Sequence, residues 1–567
     1  MADGRGSDFL VNDAIKDYIF DLHQCTRFSR VQSEVDALYG AKFQELSKQY
    51  YGDKTAWPAP STIANLTPDP KTGKGEDEFF LCFYKEMADR HLFASGRPSA
   101  MDRITTWNNY CALLDQVIAC GDTELVLNEQ WAFDLIHEFV YSFQGFAQFR
   151  ADLARRDQDG DLQVLADHPD AWSVHKVGGY LRKLIAVSNV EAILTEARAA
   201  GTPLDITGKA PSRMHFDLGY FALVGLSRLE CLLGDYHASL AALECVDLFA
   251  PDKEYYSRVF ACYHQIFYHA GVSYLMMRRY KDAIRTLGHV VSHINRLAKT
   301  GALFHVAAGA EEQNAKKAAD RCAALLSIAH VLTPGTKATD VVHSMPKEAA
   351  RQFEARLAQL EQATDGADLE QVFEKACPKF VSGAPPPLGP ALSGQGGQGA
   401  LVNKSHEPVR RQVDLFSQQA SQQLGLAKIR SFLKLYTSIE VSKLAKFHGS
   451  TPDEFRSELL ASKHLLSQTE CAAGLSPLDG AVKSALDVHF FVEGGLIQID
   501  DEAAGGAGEG TVAGDLNKPR HEHFFMEEMA RCDAVEAQVR AAAKRYEQDK
   551  ADKKSGGNKA YDPEYDD

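Results

Sequence analysis

Few residues in this chain have the types and spacing that chemistry needs. Asp157, Asp159 and Asp161 alternate as the first three ligands of a calcium loop would. Such a loop turns sharply on a glycine at its sixth position and closes on a bidentate glutamate at its twelfth. Leu162 and His168 stand at those places, so the turn and the closing ligand are both missing. His137-Glu138 and His521-Glu522-His523 bring imidazole and carboxylate together. Neither has the HExxH spacing that puts two histidines on one face of a helix. His137 lies in an apolar helical stretch and reads as a hydrogen-bonded core residue. Gly394 to Gly399 fits GxGxxG, but it follows a proline-rich stretch instead of a strand and opens no helix, so a dinucleotide site fails on context. There is no phosphate-binding GxxxxGK[ST], no GxSxG and no JAMM-type metal pattern. The sequence thus offers no catalytic, cofactor-binding or metal-binding residues, and the chain reads as a binding protein, not an enzyme.

Binding could in principle be to nucleic acid. Lys428, Arg430, Lys434, Lys443 and Lys446 form a small basic group, a weak candidate for RNA contact; the alternative is a solvated helix face. Against a whole-surface nucleic-acid binder stands the formal net charge of −16, because phosphate neutralisation requires clustered Lys and Arg. Eleven cysteines are scattered with no CxxC pair, and Cys231, Cys245 and Cys262 sit among apolar residues. They read as small buried hydrophobes in a reducing compartment. No segment has the apolar run of a membrane span, and the N-terminus has no apolar core of a secretory signal. A cytoplasmic chain is expected.

The elements that would position these residues are almost all helices. With 567 residues and 45% apolar content, more than one domain is expected. Residues 1–56 form an N-terminal helical segment, followed by a loop from Trp57 to Gly75. Residues 76–300 form a long helical arm, in which Trp131, Leu135, Ile136, Phe139, Val140 and Phe143 mark one buried face. Phe216 to Leu233 is apolar nearly all round and suits a helix covered on both sides. Gly234-Asp235-Tyr236 is a helix-stopping turn, with a second helix from about Ala238 to Asp247. Gly271, Tyr274 and Met277, then Tyr280, Ala283, Ile284 and Leu287, repeat the pattern in tetratricopeptide style, where a small residue lets antiparallel helices approach closely. Tyr236 and Tyr280 are 44 positions apart, longer than the usual repeat of about 34. The repeats are therefore degenerate or interrupted, a plain pair of helical hairpins being the alternative. Residues 301–382 continue the helices, 383–403 are a Gly/Pro-rich linker, and sheet is not expected before residue 480.

Residues 404–501 hold the most specific local pattern. Ile429, Phe432, Leu433 and Tyr436 mark one amphipathic helix; Val441, Leu444, Ala445 and His448 mark a second, stopped by Gly449. Thr451-Pro452-Asp453-Glu454 is a capping box with proline at the first helical position. Val488, Phe490 and Val492 alternate as a strand, Gly494-Gly495 supplies a positive-φ turn, and Ile497 and Ile499 alternate on the return. That order is a winged helix with a small β-hairpin. Residues 425–500 carry eight Lys or Arg against nine Asp or Glu, so the third helix would meet phosphate with no net attraction. The competing use is structural: the unpaired edge of a small sheet can accept a strand from a second chain. Beyond a Gly-rich linker at 502–514, residues 515–546 form a C-terminal helix whose Phe525, Met529, Cys532, Val535 and Val539 make one narrow seam. A partner helix or its own domain could cover that seam. Residues 547–567 form a disordered charged tail. Candidate partner-interface residues are therefore Val488, Phe490, Val492, Ile497 and Ile499 with the five of the seam.

A mainly α chain with a helical-repeat solenoid, a winged helix and a terminal helix resembles the PCI family, the scaffold subunits of the proteasome lid, the COP9 signalosome and translation initiation factor three. Leu218-Gly219-Tyr220-Phe221, Leu275-Met276-Met277-Arg278-Arg279-Tyr280, Cys377-Pro378-Lys379-Phe380, Ile429 to Tyr436 and Leu478-Asp479-Gly480 resemble, more narrowly, the L-type branch of the initiation factor. The likeness runs from about residue 35 to 540. It implies that 301–382 and 404–501 are the helical and winged-helix parts of one PCI domain. It implies edge-to-edge joining of winged-helix sheets, a C-terminal helix entering a shared bundle, and K-type and E-type subunits as neighbours. It further implies contact with the small ribosomal subunit and messenger RNA through the assembled complex, and no catalytic residues. The lid or signalosome, or an independent RNA-binding protein, are the alternatives.

Overall fold

The computed structural model describes residues 11–29, 31–52, 56–70, 72–96, 98–121, 125–152, 160–201, 204–249, 255–301, 310–333, 339–362, 366–386, 404–433, 435–465, 467–471, 476–484, 488–501, 529, 531–533 and 535–546. The chain divides into two compact units, one from 1–431 with 456–486, the other from 432–455 with 487–567.

The first unit begins with helix Asp13–Gln24, capped by Asn12, whose side chain accepts from the Ala14 N–H. Ile15, Tyr18, Ile19 and Leu22 recur at helical spacing and are buried. The chain continues through π-type turns at Cys25–Ser29, Leu38–Lys42 and Ser47–Tyr51. The Trp57–Gly75 region, expected as loop, contains the short helix Pro60–Ile63, which proline starts at its first position. Arg27 grips Asp77 with two hydrogen bonds of 2.7 Å, and His23 adds a third contact at 3.1 Å. Asp77 also accepts from the Phe80 N–H and so caps helix Glu78–Ser95.

Helices Ala100–Ala119, Glu129–Ala151, Val174–Ser188, Val190–Ala200, Arg213–Leu233, Phe260–Met276, Tyr280–Thr300 and Ala310–Leu332 then follow as a helical-repeat arm. Helix Arg213–Leu233 packs against five other helices among the described residues, and from Met214 to Leu232 only Glu230 is not buried. Its end matches the expected stop: Gly234 has φ +88°, and the N–H groups of Gly234 and Asp235 pair with the Cys231 and Glu230 carbonyls. The next helix, Tyr236–Ala241, starts two residues earlier and ends six earlier than expected, because the Asp235 side chain caps it at Ala238 and turns replace its last residues. At Gly271 a Cβ would lie 2.6 Å from Leu287 of the facing helix, so the small residue of the repeat is needed for that approach.

His137 lies half-buried in this arm against Gln265 and Arg228. Burial first, and the nearby guanidinium second, hold its imidazole down at about 3, the behaviour of a neutral core histidine.

Within residues 438–501 the described strands are β1 (Ser438–Glu440), β2 (Ser467–Glu470), β3 (Ala481–Ser484), β4 (Val488–Glu493) and β5 (Leu496–Asp501). β1 and β2 therefore precede residue 480. The first is too short to show alternation, and the second, Ser-Gln-Thr-Glu, lacks apolar residues to alternate. β2 pairs with β3 in the first unit, and β1, β5 and β4 form an antiparallel sheet in that order in the second. Helix Val441–His448 buries Val441, Leu444 and Ala445 and ends at Gly449 with φ +86°. The Thr451–Glu454 capping box forms with reciprocal bonds, and helix Pro452–Leu465 follows. The helix expected around Ile429 is the end of the long helix Glu407–Leu433; Leu435 and Tyr436 lie beyond it and are exposed.

Candidate partner interface

In the second unit, Phe490 pairs with Ile499 and Val492 with Ile497, joined through Gly494 and Gly495 at φ +55° and +85°. Phe490 and Ile497 are buried, Val492 and Ile499 half-buried. The first two stiffen the hairpin from inside, so contact with another chain falls to the outer residues and to the backbone. In the order β1-β5-β4, strand β4 pairs on one side only among the described residues. Its other side is where a strand from a second chain would add. Val488 belongs to β4, but its side chain lies outside the described residues.

Four exposed apolar residues of this unit were not anticipated: Leu435, Tyr436, Phe447 and Leu496. Phe432 stacks on Phe447 with ring centroids 6.4 Å apart. The signal for Phe447 was available, since it stands three residues after the buried Leu444 yet falls off the Val441–Ala445 face. Met529, Cys532, Val535 and Val539 of the C-terminal helical residues are all exposed, Val539 at 62%. Phe525 lies outside the described residues.

Of the basic group, Lys443 and Lys446 are exposed on helix Val441–His448. Lys434 and the side chains of Lys428 and Arg430 lie outside the described residues. The next helix opens with Asp453 and Glu454, whose carboxylate at Glu454 is held below the usual range by the Thr451 hydroxyl and N–H.

The first unit holds a second feature that was not anticipated. Cys471 and residues 476–480 are strapped across the ends of helices Phe260–Met276 and Tyr280–Thr300. Tyr274 Oη donates to the Pro477 carbonyl at 2.9 Å, and Arg279 donates to the Leu478 and Asp479 carbonyls at 2.8 and 3.1 Å. Asp282, itself gripped by Arg279, accepts from the Cys471 N–H at 3.1 Å. Lys281 pairs with Glu470. Burial raises the Asp282 carboxyl, and Arg279 and the Cys471 N–H oppose that. Two of the strings that carry the family resemblance, around 275–285 and 478–480, thus hold each other across some 200 residues of sequence. No helix is long and apolar enough to cross a membrane, and no cluster of metal-ligand side chains occurs, among the described residues.

Comparison with known proteins gives the following. A family described as RNA polymerase I-associated factor PAF67 matches residues 102–510. The chain is similar to eukaryotic translation initiation factor 3 subunit L of Mus musculus, 36% identical over 468 residues that cover 82% of this chain and 78% of that protein. The Homo sapiens protein of the same name is 35% identical with the same coverage. That of Danio rerio is 34% identical over 504 residues, covering 87% and 82%.

Proposed function

Since the chain belongs to the family of eukaryotic translation initiation factor 3 subunit L, we propose that it is a non-catalytic scaffold subunit of that multisubunit factor, helping to assemble it on the small ribosomal subunit for messenger RNA recruitment. The observation that carries this reading is a similarity spread over four-fifths of the chain, with a family match over residues 102–510 that takes in most of the arm, the strap and the winged-helix strands. Two physical features agree with a scaffold: a sheet edge at β4 that has no partner strand among the described residues, and an exposed apolar C-terminal seam. In this reading 301–382 and 404–501 form one PCI domain, β4 and its outward residues meet a neighbouring winged-helix sheet, and the seam at Met529, Cys532, Val535 and Val539 enters a helical bundle. The neighbours are other PCI subunits, K-type and E-type first, with ribosome and messenger RNA reached through the assembled complex in the cytoplasm.

The test is to recover the tagged protein from cytosol at moderate salt, resolve it on a sucrose gradient and identify its companions by mass spectrometry. Initiation-factor subunits in the small-ribosomal-subunit fractions are the expected result. Companions from the proteasome lid or signalosome would overturn the pathway and keep the fold, and a lone light peak would overturn the scaffold role.

A further inference from the structure

Among the buried arginines of the first unit, Arg228 meets the Gln144 side chain at 3.2 Å, while Arg27 and Arg279 each face a carboxylate, Asp77 and Asp282. Arg150, near the end of helix Glu129–Ala151, does not. It is 6% exposed; among the described residues its Nε has no acceptor, and its guanidinium lies over the Phe146 ring at 5.4 Å. Burial pulls its guanidinium below the usual arginine range, with no carboxylate opposing. An unpaired buried cation is costly, and an anion placed beside it removes the cost.

Arg150 lines a cavity of about 400 Å³. Lys404 and Arg411 lie on its wall, against one carboxylate, Glu407, which pairs with Arg411. The wall is fixed in place: the Lys404 N–H donates to the Ala151 carbonyl at 2.9 Å and the Val381 N–H to Leu232 at 3.0 Å. Helix Glu407–Leu433, 27 residues long, begins at this wall, so its positive end adds to the field. The rest of the lining is mixed, with Leu233, Phe380, Pro385 and Pro408 beside the polar Gln148, Ser382, Ser405 and Gln412. The space is many times that of a water molecule, about 30 Å³, and exceeds what a bare inorganic ion would fill.

We propose that this cavity binds an organic oxyanion, its carboxylate or phosphate group paired with the guanidinium of Arg150 and its apolar body lying against Phe380 and the prolines. Arg150 supplies the buried cation, and Lys404 and Arg411 further positive charge on the wall. The neighbouring segment 387–403 contains no acidic residue, so it brings no carboxylate of its own.

The experiment follows thermal unfolding of the full chain in chloride buffer at constant ionic strength, with phenyl phosphate in one series and phenylacetate in the other. The expected result is a saturable rise in melting temperature, on the order of 2 °C, with at least one probe. A rise with phenyl phosphate alone assigns the group as phosphate, and a rise with phenylacetate assigns it as carboxylate. Arg150→Met should melt no lower than wild type in chloride and show no rise. Arg411→Gln, a change at an exposed position, should keep the rise with its midpoint moved several-fold upward. An equal rise in wild type and Arg150→Met, or none with either probe, overturns the proposal. If Arg150→Met does not fold, an unchanged midpoint in Arg411→Gln overturns it alone.

Discussion

Asp77 serves three elements with one carboxylate: it binds Arg27, touches His23 and caps the helix that begins at Glu78. Burial by itself would raise its carboxyl; the His23, Arg27 and Phe80 donors outweigh that and bring it to about 2 from an ordinary 3.8. A carboxyl depressed in the folded state stabilises the protein fully above its unfolded value and loses that contribution as pH falls to the folded value. Asp77→Asn should therefore lower the urea midpoint at neutral pH, by the equivalent of about 2 kcal/mol. The gap between variant and wild type should close as pH falls from about 4 to about 2. A gap that stays constant across that window would mean the carboxylate charge contributes nothing. None of this was legible in the sequence, because Arg27 and Asp77 are 50 residues apart and neither lies in a motif. His137 was legible, since a histidine in an otherwise apolar helical face has few other fates.

The wing shows which elements a sequence reveals. The Val441–Ala445 face, the Thr451 capping box and the hairpin at Gly494-Gly495 are local devices, each decided within about ten residues, and each forms at its expected place. Leu444 is fully buried in its helix. Leu444→Asp should cost about 4 kcal/mol, since a carboxylate there has neither water nor a partner; an unchanged melting curve would show that this face is not a core. The strap made by Cys471 and residues 476–480 is the opposite case. Its strand Ser467–Glu470 is polar, and its place is set by Tyr274, Arg279 and Asp282, so no local pattern announces it. Gly480 is its tightest point: φ is +159°, and a Cβ would lie 2.4 Å from the Glu470 carbonyl oxygen. Gly480→Ala should cost about 1–3 kcal/mol. It should also speed amide exchange at Cys471, which donates to Asp282, while exchange in helix Arg213–Leu233 stays unchanged. Equal protection at Cys471 in both proteins would show that the strap tolerates the side chain.

At the scale of the whole molecule, what the sequence left open was what covers the apolar seam at the C-terminal end. Its spacing suited a partner helix and packing on its own domain equally. In the structure Met529, Cys532, Val535 and Val539 are exposed, and so is Tyr546. Their own chain thus gains nothing from their apolar character, whereas burial in a bundle would return roughly 1.5–3 kcal/mol for each large side chain fully covered. Exposure makes the two roles separable by mutation. Val535→Asp with Val539→Asp changes side chains already in water, so the isolated subunit should keep its melting temperature within about 1 °C. The same pair should weaken co-assembly with a K-type or E-type subunit by at least tenfold, because two carboxylates would have to be desolvated at a helical interface. The measurement is a binding titration of the purified double variant against each partner, run beside its thermal melt. Lost melting stability would place the seam against its own domain. Full affinity with intact stability would move the partner's docking site away from the seam, leaving the β4 edge, where main-chain pairing is indifferent to these substitutions, as the surface through which the subunit is held.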